Sequence, residues 1–169
     1  MSGTDWLLGE GTHSYPLPDL AAFTEALLRL LPQTRRSVII QAPELDTPWL
    51  GDQAIGNLLS RHLRHHPRFR LQLLFNDARR AVRQGHHLIR LAQQFPSYFD
   101  LRRAQPDDQR NAAWLVLDER ALISRDDPQR FRDGTASPNA PLAARNLLRD
   151  FEDRWQRAQP DPQLRRLYL

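Results

Sequence analysis

Cysteine and lysine are both absent from this chain of 169 residues. Without cysteine there is no disulfide, no thiolate nucleophile and no Cys-ligated zinc or iron–sulfur centre. Without lysine there is no Schiff base, no phosphate-gripping P-loop lysine and no ammonium of any kind beyond the amino terminus. All 24 basic residues are arginine, whose planar forks suit phosphate and carboxylate partners. No apolar run approaches the roughly 18 residues needed to cross a bilayer. The start, "MSGTDWLLGEGTHSYPLPDL", lacks both a basic stretch and an apolar stretch of the secretory kind, so the expected location is the cytoplasm, with no membrane partner. Also missing are GxGxxG, a Walker loop, HExxH and GxSxG, each of which would have pointed to a large enzyme class.

The charge that is present is uneven. Residues 1–60 carry three Arg and seven acids, whereas residues 61–90 carry eight Arg, one acid and five of the six His. The remainder is nearly balanced, and the whole chain has a formal charge of +4. The segments "RHLRHHPRFR" and "NDARRAVRQGHH" could attract a polyanion or form a solvated helix face. His62, His65 and His66 have helical i, i+3, i+4 spacing. Arg61, Arg64, Arg68 and Arg70 crowd them and no carboxylate accompanies them, which opposes a cation; no metal and no cofactor is expected.

The hydrophobic pattern alternates strands and helices. "PDLAAFTEALLRLLPQ" predicts a helix with Asp19 as N-cap, Leu20, Phe23, Leu27 and Leu30 on one face, and Pro32 as its stop. "RRSVIIQA", "RFRLQLLFND" and "YFDLRRA" predict strands. "TPWLGDQAIGNLLSRHLRHHP" predicts one helix and "HHLIRLAQQF" another, ending before Pro96. "AAWLVLD" is apolar enough for a central strand covered on both faces, with "ERALIS" as its hairpin partner. "PLAARNLLRDFEDRWQRA" predicts a closing amphipathic helix buried through Leu142, Leu147, Leu148, Phe151 and Trp155. The tail "QPDPQLRRLYL" ends apolar, as a docked tail would. This order implies right-handed crossovers and a mostly parallel sheet made mixed by the last hairpin. One domain is expected, with residues 1–34 as an N-terminal extension whose helix packs on a domain of residues 35–169.

Ligands of open α/β sheets sit at the carboxyl ends of the parallel strands. That edge would offer Glu44 and Asp46 after the first strand, Asn76, Asp77 and the segment to His86 after the second, and Arg102 and Arg103 after the third. Gly85 and His86 open a helix, where free N–H groups favour anions.

The segment "RNAAWLVLDERALISR" (residues 110–125), the order of elements and the closing helix with "FEDRW" resemble the phospholipase-D-like superfamily over roughly residues 35–158. The finer resemblance, carried by "GHHLIRLAQQFPS", "LRR", "RNAAWLVLD", "LISR" and "PDPQLRRLYL", is to a bacterial branch of that superfamily. The resemblance implies a single-domain α/β fold with a mixed sheet flanked by helices. In active members a motif His attacks a phosphodiester, a Lys two residues on binds the phosphate, an Asp follows five residues later, and two motif copies meet in a homodimer or pseudo-dimer. Here those positions hold Asn111, Ala113 and Asp118. Ser124 falls near a Gly-Ser pair of the family, but "ISRDDPQRF" lacks the rest of that pattern. The resemblance therefore implies a pseudoenzyme that binds a phosphate-bearing or nucleic-acid ligand through His86, Arg102, Asn111, Asp118 and Arg125. Two alternatives stand beside it. One is a regulatory or scaffolding domain, homodimeric or partnering an N-acetyltransferase, since such branches occur fused to acetyltransferases; no acetyl-CoA loop is present in this sequence. The other is a phosphodiesterase in which His86 replaces the missing nucleophile.

Overall fold

The computed structural model describes residues 6–125, 127 and 130–165. β2 (Ser37–Gln41), β3 (Arg70–Phe75) and β4 (Phe99–Arg103) form from the three predicted β-branched and apolar runs. They pair in parallel, β2 with β3 and β3 with β4. Parallel neighbours need crossovers. α3 (Gln53–His65) supplies the first, and α5 (His87–Gln94) the second, ending before Pro96.

β5 (Ala113–Leu117) is buried at every residue, and it turns into β6 (Ala121–Arg125). Asp118 and Glu119 both take positive φ in that turn, the type I′ geometry that matches strand twist in a hairpin. β5 lies antiparallel to β2, so the sheet order is β1-β7-β6-β5-β2-β3-β4. The sheet is mixed, as expected, but not mostly parallel: the pairings β2–β5, β5–β6, β6–β7 and β1–β7 are antiparallel. The reason is the missing crossover between β4 and β5. Only a short 3-10 turn, Pro106–Asp108, joins them, and the chain re-enters the sheet beside β2 at the same end at which it left β4.

Two strands escaped the sequence pattern. β7 (Gly134–Ser137) and β1 (Tyr15–Leu17) are short and rich in small or polar residues. Gly134 lies where a Cβ would fall 2.1 Å from Phe23 Cζ and 2.8 Å from the Ser124 carbonyl, so a side chain there would expel Phe23 from the core. β1 thereby joins the N-terminal segment to the sheet, and α1 (Leu20–Leu30) is capped by the Asp19 carboxylate accepting from the Ala22 N–H at 2.9 Å.

The helix predicted from Thr47 onward is two: α2 (Thr47–Leu50) and α3 are separated by Gly51 and by Asp52, whose side chain caps α3. The polar segment before His86 holds a further short helix, α4 (Arg79–Gln84). Helices α1, α2, α3 and α5 cover one face of the sheet, over the main core. α6 (Pro141–Arg157) covers the other alone, over Leu74, Trp114, Val116, Phe151 and Trp155. Leu142, expected in its buried stripe, is 68 % exposed, because it precedes the turn of α6 that reaches the sheet. The tail folds back along β4: Gln159 and Arg103 exchange two backbone hydrogen bonds, and the Gln93 amide donates to the Leu164 carbonyl at 2.8 Å. The apolar end, residues 166–169, lies outside the described residues.

Candidate functional site

The carboxyl ends of β2, β3 and β4 meet the start of β5 and the end of β6 at one edge of the sheet. On the face of α2, the chain leaves β2 through Leu45 (φ 67) and Asp46 (φ 43), two consecutive non-glycine residues in the left-handed region. Such conformers persist only where the surroundings hold them. Two buried side chains do so. His86 Nε2 bonds the Leu45 carbonyl at 2.7 Å, and Arg125 Nη2 donates to Asp46 Oδ1 at 2.6 Å, with both partners of the ion pair almost wholly buried. The Arg125 guanidinium also lies 4.1 Å from the centroid of Phe131.

Burial drives the protonation states here. It pushes the Asp46 carboxyl up from its ordinary value, against the opposing charge and hydrogen bond of Arg125. It pushes His86 down to about 4, with the Leu45 hydrogen bond acting the other way. His86 is therefore neutral at physiological pH, and its Nε2–H donates to Leu45. A histidine whose pKa is lowered on folding contributes stability above its unfolded value of about 6.5 and loses it as pH falls toward about 4. The loss amounts to roughly 3 kcal/mol over that window. Thermal melts at pH 7.5 and 4.5 should show a large drop in Tm that His86→Gln, which keeps a donor for Leu45, flattens. An equal drop in both proteins would assign the acid sensitivity elsewhere.

On the face of α6, a second buried network ties the helix to the same edge. Gln41 Nε2 donates to the Ala112 carbonyl at 2.7 Å, and Gln41 Oε1 accepts from Arg154. Arg154 also bonds Asp150 at 2.9 Å, and Arg157 forks onto Asp108 at 2.7 and 2.8 Å. Between these networks lies an open cleft of about 230 Å³ at the ends of β3 and β4, lined by Asn76, Arg103, Gln105, Gln109 and Gln159 among others. Asn76 Nδ2 donates to the Arg110 carbonyl at 3.0 Å, which fastens the segment before Asn111 beside the cleft.

The five residues singled out from the sequence do not share one cleft. His86 and Arg125 converge on the Leu45–Asp46 turn, both buried. Asn111 is on the same edge and exposed. Arg102 points to the face of α6, where its guanidinium stacks 4.4 Å over Trp155 and bonds Asp100. Asp118 sits at the other end of β5. There its carboxylate accepts from the backbone N–H groups of Arg35, Arg36 and Ser37 at 2.8–3.0 Å, which welds the hairpin turn to the start of β2. Asn76 and Arg103 were legible as edge residues. Gln41 and Arg154 were not: Gln41 closes an apolar strand, and Arg154 reads as one more helical arginine.

Ala113 is directly opposite Arg125 in the hairpin register, so both side chains stand on one face. The cation on that face is thus carried by Arg125, and Asp46 neutralises it internally.

No curated protein matches the chain in sequence. Among solved structures, it is similar to TrmBL2, an archaeal chromatin protein whose structure shows a novel mode of DNA binding (TM-score 0.62, 10% identity, 89% of this chain and 54% of that one). It is also similar to NucT from Helicobacter pylori (TM-score 0.59, 10% identity, 88% and 98%) and to Nuc, a phospholipase D family member from Salmonella typhimurium (TM-score 0.55, 12% identity, 79% and 86%). The chain spans about half the length of TrmBL2. These likenesses show a phospholipase-D-like α/β fold. The model of a domain of unknown function, DUF7931, matches residues 19–167, and the chain belongs to that family.

Proposed function

We propose that this chain is a non-catalytic module of phospholipase-D-like fold that binds a phosphate-bearing anion at the carboxyl edge of its parallel strands. The observation that carries the proposal is the composition of that edge. Asn111 and Ala113 stand where the resemblance places a nucleophilic His and a phosphate-binding Lys. An amide cannot form a phosphohistidine-like intermediate. Ala113 is buried at 3 % exposure and has no polar atom to offer.

What remains at the edge suits binding. The cleft offers the Arg103 guanidinium and the amides of Gln105, Gln109 and Gln159. Arginine forks and amide N–H groups are the usual first contacts of phosphate oxygens. Arg103 is exposed, and its backbone is pinned on both sides, to Phe75 through β3 and to Gln159 through the tail. Its side chain is therefore presented from a fixed base. His86 offers no comparable reactive group, because it is sealed in the core with its Nε2 committed to Leu45. The DNA-binding TrmBL2 lends support at the level of fold.

Titration calorimetry with thymidine monophosphate tests the proposal. Binding is expected, and Arg103→Ala should weaken it about tenfold, in line with the loss of one charge-assisted contact of roughly 1.5 kcal/mol. Equal affinity in the variant, or no binding by the parent protein, would overturn it.

A further inference from the structure

The end of the sheet opposite the proposed cleft carries a cluster of exposed arginines that form no ion pair among the described residues. No acidic residue occurs between Asp52 and Asp77, a stretch that contains Arg61, Arg64, Arg68, Arg70 and three histidines. The fold adds Arg35 and Arg36 to this stretch. Arg36 lies beside Arg70 through a 2.8 Å backbone bond, and Thr34 accepts from buried His62 on α3 at 2.6 Å. Arg35 and His66 line a common cleft of about 590 Å³ with Arg120. Arg35, Arg36, Arg61, Arg64 and Arg68 are all exposed, and among the described residues none of them forms an ion pair.

Elsewhere on the molecule some exposed arginines find acids, Arg79 with Asp77, Arg110 with Asp150 and Arg157 with Asp108, while others such as Arg83, Arg90 and Arg103 stand apart from one another in the sequence rather than in a cluster. Two acids, Glu10 and Asp118, line the cleft with Arg35 and His66, and the Asp118 carboxylate is engaged by three backbone N–H groups. We infer that the pole formed by Arg35, Arg36 and the carboxyl-terminal half of α3 with Arg68 is a docking surface for the phosphate backbone of double-stranded nucleic acid.

The chemistry selects this partner over others. Five exposed guanidinium groups, none in an ion pair among the described residues, favour a partner that presents many phosphates at regular spacing. None of the large exposed hydrophobic residues among the described residues is aromatic, and half-buried Tyr98 at this end already has the Arg70 guanidinium 5.1 Å from its ring centroid, which disfavours the base stacking that single strands require. Leu7, Leu28, Val82 and Leu142 are the exposed large hydrophobics, and none belongs to this pole's arginine stretch, so an apolar anchor in a lipid surface is missing too. Contacts of this kind fix position and carry no sequence information.

Fluorescence anisotropy with a labelled 20-base-pair duplex at several salt concentrations tests the inference. With four or five phosphates neutralised, the slope of log K against log salt should be about −4. Arg64→Glu with Arg68→Glu should weaken binding at least tenfold and reduce the slope by about 2. Arg35→Ser with Arg36→Ser should act in the same direction. The Arg64→Glu, Arg68→Glu protein should bind thymidine monophosphate as the parent does, so this surface and the proposed function can fail independently. Absence of duplex binding at low salt, equal binding by the charge-reversed protein, or tighter binding to phosphatidylserine vesicles than to the duplex would each overturn the inference.

Discussion

Asp46→Ala should cost this protein about 3–5 kcal/mol, the usual penalty for stranding one partner of a buried ion pair. Asp46 and Arg125 are both nearly inaccessible, and their 2.6 Å contact spans from the end of β2 to the end of β6. Removing the carboxylate takes a 2.6 Å ion-pair partner from the buried Arg125 guanidinium, which also packs against Phe131. It also removes a residue that holds the left-handed turn at Leu45 and Asp46. Replacing both partners at once, with Asp46→Leu and Arg125→Met, should recover most of the loss, because two apolar side chains of similar volume avoid the desolvation that already raises the Asp46 pKa. Urea denaturation of the three proteins measures this directly. A single variant as stable as the parent would mean that water reaches the pair.

Rebuilding the catalytic motif should fail. Asn111→His together with Ala113→Lys restores the residue types that the resemblance attaches to phosphodiester cleavage. But Ala113 is buried and faces Arg125 across the hairpin. A lysine there would bring a second cation against a guanidinium that one carboxylate already neutralises. An unpaired buried charge costs several kcal/mol unless it is discharged. The expected result is a protein destabilised by at least about 3 kcal/mol with no turnover of bis(p-nitrophenyl) phosphate. Asn111→His alone, at an exposed position, should leave stability within about 0.5 kcal/mol of the parent. A stable, active double variant would show that the edge retains a working phosphate site.

The elements that carry the sheet were legible because their hydrophobic runs are long and unambiguous. "AAWLVLD" declared a buried central strand, and β5 is that strand. Pro96 and Asp19 marked helix boundaries through backbone chemistry that tertiary context did not override. β1 and β7 were illegible, because strands of three and four residues, Tyr-Pro-Leu and Gly-Thr-Ala-Ser, are too short to show a period. Their pairing depends on a close approach of Phe23 to Gly134, which only the folded chain creates. The antiparallel direction of β5 relative to β2 follows from the short connection after β4, which is too short for a crossover, but the regular strand–helix alternation before it masked that signal.

The site was less legible than the fold, and Asp118 shows why. Its position in the motif spacing marked it for a ligand site, while its carboxylate is spent on three backbone N–H groups at the far end of the strand. Arg125 and His86 likewise read as binding groups, although burial turns them toward their own main chain and toward Asp46. A sequence reports which side chains could bind an anion. Whether an arginine is exposed and unpaired, as Arg103 is, depends on the acids that folding brings beside it.

The most direct test of the central claim is a two-dimensional amide NMR titration of the protein with thymidine monophosphate, followed on the same sample by phosphorus NMR. The account expects shifts concentrated on Asn76, Arg103, Gln109 and Asn111, with the phosphorus spectrum showing the monophosphate bound and unconsumed. Shifts absent from that edge, or the appearance of inorganic phosphate, would contradict it.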